Sequence, residues 1–116
     1  MVDLKVKNGV VFRNAHFLPH MTAIVHAALQ TAPTTNDDCV WITEGWRDIR
    51  DSLDFHELCA AFDFRCKNIV ADSQEMREEL ADEWAEDMRI VLGDDYDVIA
   101  HGVGDSLHIH AEFDPR

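Results

Sequence analysis

The chain of 116 residues is poor in the residues that break regular structure, with five glycines and three prolines, so long unstructured linkers and collagen-like or low-complexity segments are excluded. Its cysteines, Cys39, Cys59 and Cys66, are odd in number and form no CxxC pair, which argues against a disulfide scaffold and for buried thiols. Positive charge is scarce. Ten Lys and Arg stand against 23 Asp and Glu, a formal net charge of −13, and no nucleic-acid partner is expected for such a surface. No apolar run approaches the ~20 residues of a membrane span. The start, Met1-Val2-Asp3-Leu4-Lys5-Val6-Lys7, has no long apolar core of the kind a secretory signal carries. These absences lead to the expectation of a soluble chain with no signal peptide and no membrane span.

What is present suits one domain. Hydrophobic residues make up 47% of the chain, enough for a core at this length. Leu4 to Phe12, broken by Asn8-Gly9, reads as a hairpin. Met21, Ile24, Val25, Ala28 and Leu29 recur at helical spacing, with Pro19 tolerated in the first turn. Ala32 to Asp38 is a polar loop, and Cys39 to Thr43 is a strand that Gly45 ends. Ala60 to Cys66 reads as a buried strand. Ser73 can cap a helix whose stripe is Met76, Leu80, Trp84, Met88 and Leu92 and whose end is Gly93. Asp97 to Ala100 and Leu107 to Phe113 complete the strands. The predicted fold class is α+β, with two main helices packed on a small, largely antiparallel sheet in a single domain spanning 1–116.

Two stretches concentrate chemistry. The first, Asp54-Phe55-His56-Glu57-Leu58-Cys59-Ala60-Ala61-Phe62-Asp63, brings a histidine and a carboxylate into an apolar segment, and the second is Asp105-Ser106-Leu107-His108-Ile109-His110. Imidazole nitrogens with a carboxylate oxygen are the donor mixture of a catalytic zinc site, where three protein groups leave a position for water. On one straight helix His56 and Asp63 would lie roughly 10.5 Å apart, too far to share an ion with bonds of about 2.0 to 2.2 Å. The chain must therefore turn between them, with His56 on a loop and Asp63 on the strand. His108 and His110, two apart on a strand, point to one face. One can bind metal while the other faces a substrate. Asp63, set between two phenylalanines, needs a partner, either a metal or a local group such as Arg65. His16 and His20 lack an acidic companion and read as structural. His56-Glu57-Leu58-Cys59-Ala60 fails as a helical zinc motif, because Ala60 stands where the second histidine belongs.

The same residues resemble the M15-type zinc D-alanyl-D-alanine peptidases, with related murein endopeptidases and hedgehog-type domains. His56 and Asp63 are similar to the first half of that zinc signature, His108-Ile109-His110 to its closing His-x-His, and Ile42-Thr43-Glu44-Gly45-Trp46-Arg47 to the strand and turn before it. Gly93-Asp94-Asp95-Tyr96-Asp97-Val98 and the final His-Ile-His-Ala-Glu-Phe-Asp-Pro resemble the end of short phage and prophage members. The resemblance spans roughly residues 40 to 116 in family order. It departs at Cys59, where the family usually has glycine, and at Asp54, where it often has serine. The glutamate that the carboxypeptidase branch places three residues before its last ligand is Leu107 or Asp105 here.

The resemblance implies zinc held by His56, Asp63 and His110, Asp105 as the candidate base and His108 as acid or oxyanion stabiliser. Arg47 would grip a substrate carboxylate or polarise the carbonyl. It also implies hydrolysis of murein peptides by a lysis enzyme or a virion-associated wall-degrading protein. Such an enzyme would work from the host cytoplasm with release to the wall, or from a virion among partner proteins. The competing expectation is a virion structural or binding protein that keeps the fold without the chemistry.

Overall fold

A computed structural model of the chain describes residues 2–12, 18–45 and 61–115. Its five strands are β1 (Asp3–Val6), β2 (Cys39–Glu44), β3 (Ala61–Arg65), β4 (Tyr96–His101) and β5 (His108–Phe113), and its two helices are α1 (Leu18–Thr31) and α2 (Gln74–Leu92). The strands form one sheet in the order β1-β2-β3-β5-β4. Only the β1–β2 pair is parallel; β2–β3, β3–β5 and β5–β4 are antiparallel. The fold is therefore α+β, two helices on a mixed five-stranded sheet.

The helices cover one face of the sheet, as the alternation in the strands dictates. Val40 and Ile42 of β2, Phe62 and Phe64 of β3, Val98 of β4 and Ile109 and Ala111 of β5 all enter the core. They meet Met21, Ile24, Ala27 and Ala28 of α1 and Ala81, Trp84, Ala85 and Met88 of α2. Phe64 and Trp84 lie with ring centroids 6.2 Å apart, and the Trp84 indole N–H donates to the Ala28 carbonyl at 3.3 Å, tying α2 to α1.

Helix α2 starts where its sequence says it should. The Ser73 hydroxyl accepts from the Met76 N–H at 3.1 Å, and Gly93, at φ +87°, closes the far end with its N–H on the Arg89 carbonyl. The expected stripe at steps of four drifts, because four residues overshoot one 3.6-residue turn by about 40°. Trp84 and Met88 are buried, whereas Met76 has turned outward and Ala81 and Ala85 take its place.

One expected element is corrected. Asn8-Gly9 does turn, with Gly9 at φ +88° and the Val10 N–H on the Lys7 carbonyl, but among the described residues Asp3–Val6 has no hairpin partner across it. Asp3–Val6 instead pairs in parallel with β2, Leu4 beside Val40 and Val6 beside Ile42. The ladder with β2 runs the whole length of β1, from Asp3 to Val6, and makes β1 the outer strand of the sheet.

Candidate functional site

The sheet face turned away from the helices collects the polar residues of the same strands. On β3 the alternation that buries Phe62 and Phe64 turns Asp63 and Arg65 to this face, and on β5 it turns His108, His110 and Glu112 there. Antiparallel register then sets Asp63 directly opposite His110 and Arg65 opposite His108. From the other side β4 places Asp97 opposite Glu112 and His101 opposite His108. A register shift between Ile42 and Glu44 of β2 brings Glu44 level with Asp63.

At the centre, Asp63 Oδ1 and His110 Nδ1 are 2.7 Å apart. Both side chains are largely enclosed, Asp63 with 13% and His110 with 21% of its side chain exposed. A carboxylate only accepts, so Nδ1 carries the proton and donates it. On the far edge of the ring, His110 Nε2 lies 3.5 Å from Glu112 Oε1. Burial alone would pull the His110 imidazole down; the Asp63 hydrogen bond and charge, then Glu112, outweigh it and hold the ring above its ordinary value. Burial also raises the Glu112 carboxyl, with His110 pulling it back and Asp97 and Asp114 pushing it further up.

His108 is held differently. Its Nδ1 lies 2.8 Å from the Ser106 carbonyl, which can only accept, so Nδ1 is the protonated nitrogen. Nε2 is left to accept or pass a proton, and it faces Asp63 Oδ2 at 3.9 Å. Asp105 sits just before, in a single 3-10 turn over Gly104–Ser106. Asp63, Asp105 and His108 line one cleft of about 260 Å³, together with Lys7, Thr43, Glu44, Arg65, Lys67, Ser106 and Leu107.

Four of the six site residues expected from sequence are thus described, and all four converge: Asp63 with His110, and Asp63, His108 and Asp105 around one cleft. Arg47 and His56 lie outside the described residues, as does Cys59. The remaining cysteines are free and buried, and burial pushes the Cys66 thiol up to about 12, which makes it an inert core thiol. His20 stacks on Phe113 with centroids 3.5 Å apart and its Nδ1 meets the Tyr96 hydroxyl at 3.1 Å. Glu112 was missed, although the alternation His108-x-His110-x-Glu112 places it on the same face.

The donor chemistry fits zinc in part. Asp63 Oδ1 and His110 Nδ1 are a hard oxygen and a borderline nitrogen directed at each other, two donors of the kind zinc takes once Nδ1 gives up its proton. Glu112 would then be the carboxylate that orients the ring from its other nitrogen. Among the described residues no group of three His, Cys, Asp or Glu side chains is arranged to hold a metal ion. A third ligand has to come from elsewhere, and His56 is the sequence's candidate. Among the described residues no helix is long and apolar enough to cross a membrane. Comparison with protein-family models, with curated proteins and with solved structures gave no match.

Proposed function

We propose that this chain is a zinc-dependent peptidase of the kind its sequence resembles, hydrolysing peptide bonds of murein in phage lysis or virion-associated wall degradation. The observation that carries the reading is the convergence of Asp63 Oδ1 and His110 Nδ1 at 2.7 Å beside a cleft that also holds His108 and Asp105. His56, Asp63 and His110 would hold the metal. Zinc, when bound, supplies Lewis acidity toward a carbonyl and a water of lowered pKa. Asp105, on its exposed turn, takes the proton of the attacking water. His108, its Nδ1–H held by the Ser106 carbonyl, would accept that proton at Nε2 and pass it to the leaving amine, which leaves Asp105 and His108 as they began. Arg47 grips a substrate carboxylate.

A second reading has its own support. Asp63, His110 and Glu112 satisfy one another through charge and hydrogen bonding, which is what a virion structural or binding protein retaining the fold would need. Elemental analysis of protein purified without chelator, paired with a murein digest followed by mass spectrometry, separates the two. Stoichiometric zinc with release of new amino groups supports the peptidase. Intact murein at full zinc occupancy supports the structural protein.

A further inference from the structure

Positive charge is rare in this chain, and among the described residues most of it is gathered in one place. The described residues hold six Lys and Arg: Lys5, Lys7, Arg65, Lys67, Arg77 and Arg89. Arg77 and Arg89 belong to α2 and are engaged there, Arg77 with the Ile69 carbonyl and Gln74, Arg89 with Glu86 and the Val98 carbonyl. The other four lie together on the open side of the sheet. Lys5 and Lys7 line one hollow with Trp41, and Lys7 also lines the cleft shared by Arg65, Lys67 and His108. Lys7 therefore joins the two into a single groove.

Trp41 is the floor of its outer end. Its indole N–H donates to Asp37 Oδ2 at 2.8 Å, and Asp37 is anchored in turn by the Asn68 amide at 2.9 Å, so the ring is pinned. Lys5 Nζ stands 5.5 Å and Arg65 Cζ 4.7 Å from the ring centroid. Among the described residues no carboxylate lies within ion-pair distance of Lys5, Lys7, Arg65 or Lys67. In a chain with 23 acidic residues, four neighbouring cations with no ion-pair partner among the described carboxylates are a binding feature rather than an average surface.

We infer that Lys5, Lys7, Arg65 and Lys67, running from Trp41 to the cleft at His108, form a groove that takes free carboxylates of a peptide whose reacting bond lies at His108. The inference rests on the peptidase reading for its direction and names the substrate class more narrowly, as an acidic peptide. A polyanion does not suit the groove, because Glu44, Asp63 and Asp105 line its inner end and the chain as a whole is strongly negative. A peptide with carboxylates at one end and amide or amine groups at the other matches both halves. The Arg65 fork suits a carboxylate oxygen pair, and the lysines add point charges.

The probe is a short peptide bearing a glutamate side chain and a free C-terminus, compared with the same peptide fully amidated. Binding is followed through the Trp41 indole N–H resonance. The acidic form should bind at least about tenfold more tightly, equivalent to 1.4 kcal/mol, and the Lys7→Gln/Lys67→Gln double variant should lose that preference while its other resonances stay native. Equal binding of the two forms, or an unchanged preference in the double variant, overturns the groove. Tighter binding of a single-stranded oligonucleotide than of the acidic peptide overturns the peptide class. Binding of the acidic form without hydrolysis leaves the groove standing and removes the peptidase, whereas hydrolysis of both forms at one rate does the reverse.

Discussion

Asp63 and His110 face each other across β3 and β5 with Oδ1 and Nδ1 2.7 Å apart, and strand register sets them opposite one another. A slip of one residue would turn either side chain to the helix-covered face. Because two of the three proposed ligands are this pair, Asp63→Ala and His110→Ala should each abolish stoichiometric zinc, and His56→Ala should do the same. Elemental analysis of the three variants checks it, and full occupancy in both strand variants would remove the site. Each strand variant should also lose about 1.5–3 kcal/mol, the worth of a charged hydrogen bond, measured by urea denaturation of the metal-free protein.

The same pair sets a pH dependence in the metal-free protein. His110 is held above its ordinary value by Asp63 and Glu112 in spite of burial, so the folded state binds its proton more tightly than the unfolded chain does. That contribution is complete below the unfolded value of about 6.5 and is lost as pH rises through the raised one. Metal-free protein should therefore lose stability from mildly acidic toward alkaline pH, and His110→Gln should flatten the slope. An equal slope in wild type and variant would show that other groups carry it.

Gly102 supports the other histidine. It stands at φ +93°, and a Cβ there would lie 2.5 Å from the Ser106 carbonyl oxygen, the atom that accepts from His108 Nδ1. Gly102→Ala should thus cost stability by about 1–3 kcal/mol from the backbone conformation and lower turnover while zinc stays bound. Thermal denaturation with metal analysis tests both halves; a variant as stable and as active as wild type would mean the turn relaxes freely.

Much of this arrangement was legible from residue spacing. Asp63 among phenylalanines required a partner, and His108-x-His110 required a shared face; both follow from the two-residue period of a strand. The Ser73 cap and Gly93 stop of α2 were legible for the same reason, since local hydrogen bonding decides them. Pairing partners were not. The turn at Asn8-Gly9 is local, but which strand β1 joins depends on β2, more than 30 residues away, and that is settled by the assembled sheet. Glu112 lay within reach of the same two-residue period, whereas the grouping of Lys5, Lys7, Arg65 and Lys67 arises from the strand order β1-β2-β3-β5-β4 and not from any spacing along the chain.

The two histidines of β5 should separate cleanly under mutation. His110 has Asp63 at one nitrogen and Glu112 at the other, and it is the more enclosed ring, 21% of its side chain exposed against 28% for His108. A site that binds a dication wants that setting, with one carboxylate beside the metal and another orienting the ring. His108 has a backbone carbonyl at Nδ1 and an open cleft at Nε2, the setting of a group that exchanges protons with a substrate. His110→Ala should therefore lose zinc and turnover together. His108→Ala should keep zinc and lose turnover by about 10²- to 10⁴-fold, the usual contribution of a general acid or base. Murein-peptide turnover measured beside metal content decides it: zinc lost from the His108 variant and kept by the His110 variant would move the ligand to His108, leaving Asp105 three residues before it as the base.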